Sequence, residues 1–473
     1  MIIMVENNDV RIERDTVGEI EVPADAYYGV NAMRADENFN ITGRPVDENM
    51  IMGIVQVKKA SALMNAEAGQ MEDEKAEAIA KVCDEIIEGK HHDHFITDAI
   101  QGGAGTSMNM NANEVIANRA SEVLGGEIGD HDIVHPNDDV NMGQSTNDVI
   151  PTAGKIAIIH YLEDLYEELE ALKNAYADKA KEFDKVVKMG RTHMQDAIPV
   201  RLGQEFNAFS NAIGRNIDRI KHAEKELHVI NMGSTAVGTG LNADTDYYKG
   251  ISDKVAEVTG IDFEQGEDLF DSTSNLDPFV SVHGTLKALA VTLSKQMNDL
   301  RLMASGPRVG LNEINLEPRQ NGSSIMPGKV NPVILEVVNQ VAFRVIGNDV
   351  TVTAAAEGGQ FQLNVFEPVL FYATFESLNA LIGGVNTLTE NSVKTIEANE
   401  EVCQGYVDNS VGTITALTPH IGYDKASEIA DKAIHGGESV REQVLDQGLL
   451  TEEELDNVLD PFAMTEPGIA SKE

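Results

Sequence analysis

Apolar residues recur through the middle of the chain with a helical period. Between residues 152 and 183 they fall at Ile158, Leu162, Leu165, Leu169, Leu172 and Tyr176. These alternating steps of four and three average about 3.5 residues, the spacing of long helices that cross at shallow left-handed angles. Phe206, Phe209, Ile213, Ile217 and Ile220, with Leu227 beyond them, repeat the pattern, as do Leu286, Leu289, Leu293, Met297 and Leu300. Residues 334–357 and 365–391 predict two more helices of this kind. Five such segments predict a mainly α protein built on a bundle of long helices. Several carry apolar residues outside one narrow stripe, which predicts packing against other copies of the chain.

The flanks differ. Residues 10–28 carry Pro23 and short alternating runs, which predict loops or small strands, and residues 50–68 and 75–89 predict helices. A glycine-rich loop at residues 102–107 leads into a polar helical run at 109–124. Beyond about residue 397 the helices shorten, broken at Gly422, Gly436, Gly437 and Gly448, and Thr451 with Glu454 forms a capping-box signature. Three domains are expected: a mixed N-terminal one (1–146), the central bundle (147–396) and a small helical C-terminal one (397–473), as befits 473 residues.

Composition sharpens this. Trp is absent and aromatics are 5%, so the core must be Leu, Ile, Val, Ala and Met. Lys and Arg total 36 against 78 for Asp and Glu, a net charge of −42 spread along the chain. Nucleic acid and anionic membranes are excluded as expected partners, because phosphate binding needs clustered cations. Such self-repulsion destabilises a compact fold at low salt, and screening relieves it as the Debye length falls to about 3 Å near 1 M. The expectation is a halophilic protein of a salt-rich cytoplasm. Its melting temperature should rise by roughly 5 °C or more between low and molar salt, which for a chain of this length takes about 5 kcal/mol; a salt-independent melt would remove the expectation. Cys83 and Cys403 are far apart with no CxxC, which fits a reducing cytosol. The apolar start at residues 1–5 lacks a basic flank and is too short for a signal peptide or membrane span; Met4 is a second candidate start.

Candidate chemistry concentrates in the string GSSIMPGKVNP at residues 322–332. Gly, Ser and Pro make it a loop. It offers two hydroxyls, free backbone N–H groups, one cation and one amide, a set that suits an anion whose charge grows during reaction; an ordinary surface loop is the alternative. Segments 103–107, 143–148, 190–196 and 233–242 are similarly rich in small polar groups. Each is expected at a helix boundary, where unpaired N–H groups favour carboxylates, though each taken alone reads first as a glycine-rich turn with an N-cap Ser or Thr. No strand leads into residues 102–105 and no GK[ST] follows, so a nucleotide loop is disfavoured. The run His91-His92-Asp93-His94 has no tetrahedral ligand spacing and is expected to be a solvated helix end, so no metal site is expected.

Residues 322–331 resemble the GSSxMPxKxN motif of the fumarase/aspartase superfamily, and the other four segments match that family in order and spacing from about Arg11 to the C-terminus. EVVNQV, VIGND and the AAE-G-Q-L-N-EP pattern within 334–377, with PFAMTEPGIA at 461–470, resemble its aspartase branch. Gly328, Thr192-His193 and His135-Pro136-Asn137-Asp138 are shared with fumarases, so a class II fumarate hydratase is the alternative. A non-catalytic scaffold is a third possibility, against which the intact Ser323, Lys329, Asn331 and Thr192-His193 set speaks. The resemblance implies a fumarase/aspartase-type fold and reversible deamination of L-aspartate to fumarate and ammonia, without a cofactor. It also implies a cytoplasmic homotetramer whose active sites are each shared by three subunits. It assigns Ser323 as the base, acting as an alkoxide. Thr106, Ser145, Thr146 and Ser324 would hold the carboxylate that becomes the aci-form, and Lys329 and Asn331 the other one. Asn147, Thr192 and His193 would surround the amine, with Glu336 orienting His193.

Overall fold

Residues 9–471 are described by the structure, a computed structural model; the apolar start at residues 1–5 lies outside them. The alternating run at the N-terminus forms an antiparallel hairpin of β1 (Val10–Arg14) and β2 (Glu19–Pro23). Three helices follow: α1 (Val30–Asn38), α2 (Glu48–Glu67) and α3 (Asp73–Ile87). Asp47 caps α2 by accepting from the Asn49 N–H. His92–His94 form a 3-10 turn with His91 before it, the three histidines half-buried and Asp93 exposed, in place of a solvated helix end, and the His94 ring accepts from the Tyr27 N–H at 3.1 Å.

The polar run becomes α4 (Thr106–Val123), and its polar residues point inward. Asn109, Asn111, Asn113, Glu114 and Asn118 are all buried. For Asn111, Glu114 and Asn118 the burial is compensated by hydrogen bonds to loop backbone. Asn111 binds the His94 carbonyl and the Ile96 N–H; Asn118 binds the Tyr27 carbonyl and the Gly129 N–H. The Glu114 carboxylate accepts from the N–H groups of Gly29, Asn31 and Ala32, capping α1, a helix not anticipated from its sequence. Burial pushes the Glu114 carboxyl up to about 7.

The long helices are α5 (Thr146–Glu182), α6 (Leu202–Glu224), α9 (Asp277–Met303), α10 (Val333–Glu357) and α11 (Glu367–Asn391). The apolar series read from the sequence is the buried series: Ile158, Leu162, Leu165, Leu169, Leu172 and Tyr176 on α5 are all fully buried. Between α5 and α6 lies a hairpin, β3 (Val187–Thr192) and β4 (Gln195–Arg201). Segment 190–196, expected at a helix boundary, is this hairpin. Short helices α7 (Thr245–Thr259) and α8 (Leu269–Ser274) precede α9. Two-residue strands β5 (Val229–Ile230) and β6 (Glu264–Gln265) pair in parallel, and β7 (Ile314–Asn315) and β8 (Glu397–Ala398) antiparallel. The C-terminal part holds α12 (Glu400–Asn409), α13 (Thr418–Ile421), α14 (Tyr423–Gly436), α15 (Val440–Asp446) and α16 (Glu452–Val458). Thr451 and Glu454 form the expected capping box.

The chain divides into two compact units, residues 1–166, 218–290 and 343–381, and residues 167–217, 291–342 and 382–473. No helix among the described residues is long and apolar enough to cross a membrane.

Candidate active site

In the first unit two helix starts lie side by side. Gly103, Ala104 and Gly105 all have positive φ, which turns the chain sharply into α4 at Thr106. A side chain at Gly105 would stand 3.1 Å from Ile150 of α5, so glycine lets the helix starts approach. Asn109 of α4 donates to Thr146 Oγ1 at 3.3 Å. The Thr106 hydroxyl donates to the Gly103 carbonyl at 2.7 Å and is exposed.

Ser145 caps α5. Its Oγ accepts from the Asn147 N–H at 3.2 Å, and its own N–H donates to Asp148 Oδ1 at 2.9 Å. Pro151, six positions into α5, has no N–H for the Asn147 carbonyl four residues back. Asn231 Nδ2 donates there instead, at 3.0 Å. The Asn147 side chain donates to the Ala236 carbonyl at 2.7 Å. Ser145, Thr146 and Asn147 are thus assembled at one helix N-terminus, where carboxylates are favoured.

Beneath this turn lies a group that sequence reasoning missed. Lys58 of α2 is fully buried, and its amine donates to Asn141 Oδ1 at 2.8 Å and Gln144 Oε1 at 2.9 Å. Asp148, also fully buried, accepts from the Thr235 N–H at 3.0 Å. Burial pushes the Lys58 amine down to about 7 and the Asp148 carboxyl up to about 7. The signal was present: Ile51, Ile54, Lys58 and Ala62 share one helical stripe, which places a cation on an apolar face.

In the second unit the GSSIMPGKVNP string is a loop tied at its neck. The Gly322 N–H donates to the Lys329 carbonyl at 3.0 Å, and Asn331 Nδ2 donates to the Gly322 carbonyl at 2.8 Å. Asn331 keeps a second N–H for other use. Ser323 Oγ accepts from the N–H groups of Ile325 at 3.2 Å and Met326 at 3.0 Å. Two such donors stabilise negative charge on that oxygen. Ser324 and Lys329 are exposed, and Lys329 makes no ion pair among the described residues. Ile325 is 84% exposed, so the loop tip has no cover in the single chain.

Thr192 and His193 sit at the tip of the β3–β4 hairpin. Thr192 pairs with Gln195, leaving His193 (φ 53°) and Met194 (φ 61°) as a two-residue turn of the left-handed kind that matches strand twist. Both side chains are exposed. Glu336 is half-buried in the first turn of α10, and no hydrogen bond joins it to His193 among the described residues. Among those residues no three His, Cys, Asp or Glu side chains are grouped to hold a metal ion.

Comparison with known proteins bears on what these groups do. A lyase family model matches residues 18–347, and a model of the fumarase C C-terminus matches residues 414–466. An aspartate ammonia-lyase of Bacillus subtilis is 52% identical over 465 residues, 98% of each chain. The crystal structure of a fumarate lyase:delta crystallin from Brucella melitensis, bound to cobalt, is 44% identical with a TM-score of 0.95, covering 97% of this chain and all of that one. A class II fumarase of Schistosoma mansoni is further off at 33% identity, with a TM-score of 0.93 and coverage of 97% and 99%.

Proposed function

Because this chain belongs to the fumarase/aspartase family of lyases, and within it to the aspartate ammonia-lyases, we propose that Ser323 is the base that begins its conversion of L-aspartate to fumarate and ammonia. The proton to be removed lies on the carbon beside a carboxylate, and its loss leaves a dianionic aci-carboxylate. That species forms only where donors already point at it. The observation that carries the assignment is the pair of N–H groups on Ser323 Oγ. A free serine is far too weak an acid to be ionised near neutrality; donors fixed by the loop lower that cost, and Lys329 on the same loop adds a cation.

The carboxylate that becomes the aci-form is held by Thr106, Ser145, Thr146 and Ser324. Lys329 and the second N–H of Asn331 hold the α-carboxylate, and Asn147, Thr192 and His193 surround the amine. As the C–N bond breaks, the pair of electrons from the aci-carboxylate forms the double bond of fumarate and the nitrogen leaves as ammonia.

The active form is a homotetramer whose sites are each completed by three copies of the chain, with Glu336 of one copy orienting His193 of another. Two features support it. The loop tip and the hairpin tip are bare in one chain, and α10 exposes Phe343 (61%) and Val350 (69%) one heptad apart. The three-part division at residues 146 and 396 is supported at its C-terminal end by a separate core of Leu417, Ile429, Val440, Val444, Leu455 and Val458. The unpaired, buried thiols of Cys83 and Cys403 support a cytoplasmic setting.

The test is to incubate the purified protein in high salt with aspartate or with malate and follow fumarate by its ultraviolet absorbance. The expected result is activity on aspartate alone, from a species with the mass of four chains. Activity on malate alone would make the protein a hydratase, and full activity from a single chain would remove the shared site.

A further inference from the structure

The β3–β4 hairpin carries a burden that its tip cannot bear. His193 and Met194 occupy the left-handed region, which costs a non-glycine residue about 1–2 kcal/mol. Neither side chain is packed, so at the tip only the Thr192–Gln195 pairing and the strand twist hold this conformation. Such a turn persists only where its surroundings over-determine it, and here those surroundings are the roots of the strands.

The roots converge on one carboxylate. Glu313 is fully buried. Its Oε1 accepts from Arg191 Nη1 at 2.7 Å, and its Oε2 lies 2.7 Å from Lys188 Nζ, an ion-pair contact rather than an aligned hydrogen bond. Both cations belong to β3, on either side of the irregularity in register between Met189 and Arg191. Lys188 also reaches Glu205 at 3.0 Å, and the Arg191 guanidinium lies over the Tyr406 ring at 5.4 Å. On β4, Asp196 accepts from the Ser410 hydroxyl at 2.8 Å.

The Glu313 backbone is itself tied on both sides. Its N–H donates to the Met303 carbonyl at 2.8 Å, and its own carbonyl accepts from the Asn399 N–H at 2.9 Å. It stands next to β7 and nine residues before Gly322, where the Ser323 loop begins. One buried anion therefore anchors the strand that ends in Thr192-His193 to the segment that leads into the Ser323 loop. A buried ion pair of this kind adds little net stability over apolar packing, and its best-attested use is to fix register.

We propose that Glu313 is a positioning residue of the reaction, setting the place of the Thr192-His193 turn through Arg191 and Lys188. This rests on the assignment of that turn to the active site. Glu313 touches no substrate; it acts through the hairpin. A displacement of about 1 Å in a reacting group can cost on the order of a hundredfold in rate.

The test is a double-mutant cycle on the full-length enzyme in high salt. Glu313→Gln keeps the shape and removes the charge; it should lower kcat/KM for aspartate by about tenfold or more while the far-ultraviolet circular dichroism is retained. In a Thr192→Ala/His193→Ala background, itself impaired, the same change should cost less than about threefold, because the side chains that the turn places are gone. Equal losses in both backgrounds would show a merely structural role and overturn the proposal. So would no loss in either, or an unimpaired Thr192/His193 variant. Should Glu313→Gln fail to fold, Arg191→Lys makes the same comparison, since it keeps a cation by Glu313 while losing the forked geometry and the stack on Tyr406. A wild-type chain inactive on aspartate would instead count against the catalytic assignment, so the two failures are distinct.

Discussion

Replacing Ser323 with alanine is expected to leave a folded protein that releases fumarate from aspartate about three orders of magnitude more slowly, within the range over which a positioned base accelerates proton transfer. The physical reason is local. Ser323 is half-buried on a loop that makes few contacts, so losing its hydroxyl removes only the acceptor for the N–H groups of Ile325 and Met326. Those two groups can turn to water, and stability should change little. The rate should collapse because no other group on the loop can take a proton: Ser324 is the candidate carboxylate donor and Lys329 is a cation. Binding of an unreactive dicarboxylate should survive, since Lys329 and Asn331 remain. Turnover within tenfold of the wild type, with the protein folded, would show that the base has been misassigned.

Gly322→Ala is expected to lower kcat/KM for aspartate by about a hundredfold, the scale on which misplaced catalytic groups lose rate. A Cβ at this position would stand 2.3 Å from the Lys329 carbonyl oxygen and 2.8 Å from its carbon. These are backbone atoms, and no rotamer change relieves the clash. The neck formed by the Gly322–Lys329 and Asn331–Gly322 hydrogen bonds must therefore open, which moves Ser323, Lys329 and Asn331 together. The melting temperature should hardly move, because the loop is exposed. Gly328→Ala is the control. Its φ of 76° disfavours alanine, but nothing lies within 4 Å of the added carbon, so a severalfold loss at most is expected. Similar rates for the two variants would mean that the neck has no part in placing the loop.

Particular elements show why some of this architecture was legible beforehand. The α5 series from Ile158 to Tyr176 is buried residue for residue, because a helix converts linear spacing directly into a face. The GSSIMPGKVNP loop was legible for a related reason: Gly, Ser and Pro act on their own backbone, and Ser323, Asn331 and Gly322 interact within ten residues.

Other features had no linear signature. Asn109, Asn111, Asn113, Glu114 and Asn118 look like a solvated face, yet they are buried, and Asn111, Glu114 and Asn118 pair there with backbone of loops from elsewhere in the chain. Segment 190–196 reads as a helix boundary; the hairpin there brings Arg191 against Glu313, 122 residues away.

By itself the sequence determined the long helices, the loop that carries the proposed base, and the kind of anion these groups suit, since each follows from neighbours a few residues apart. Only the tertiary structure decided which polar side chains are interior, how Ser145, Thr146 and Asn147 are aimed, and what holds the Thr192-His193 turn. Those depend on partners brought from distant positions, and the cost of burying an unpaired polar group is what selects them.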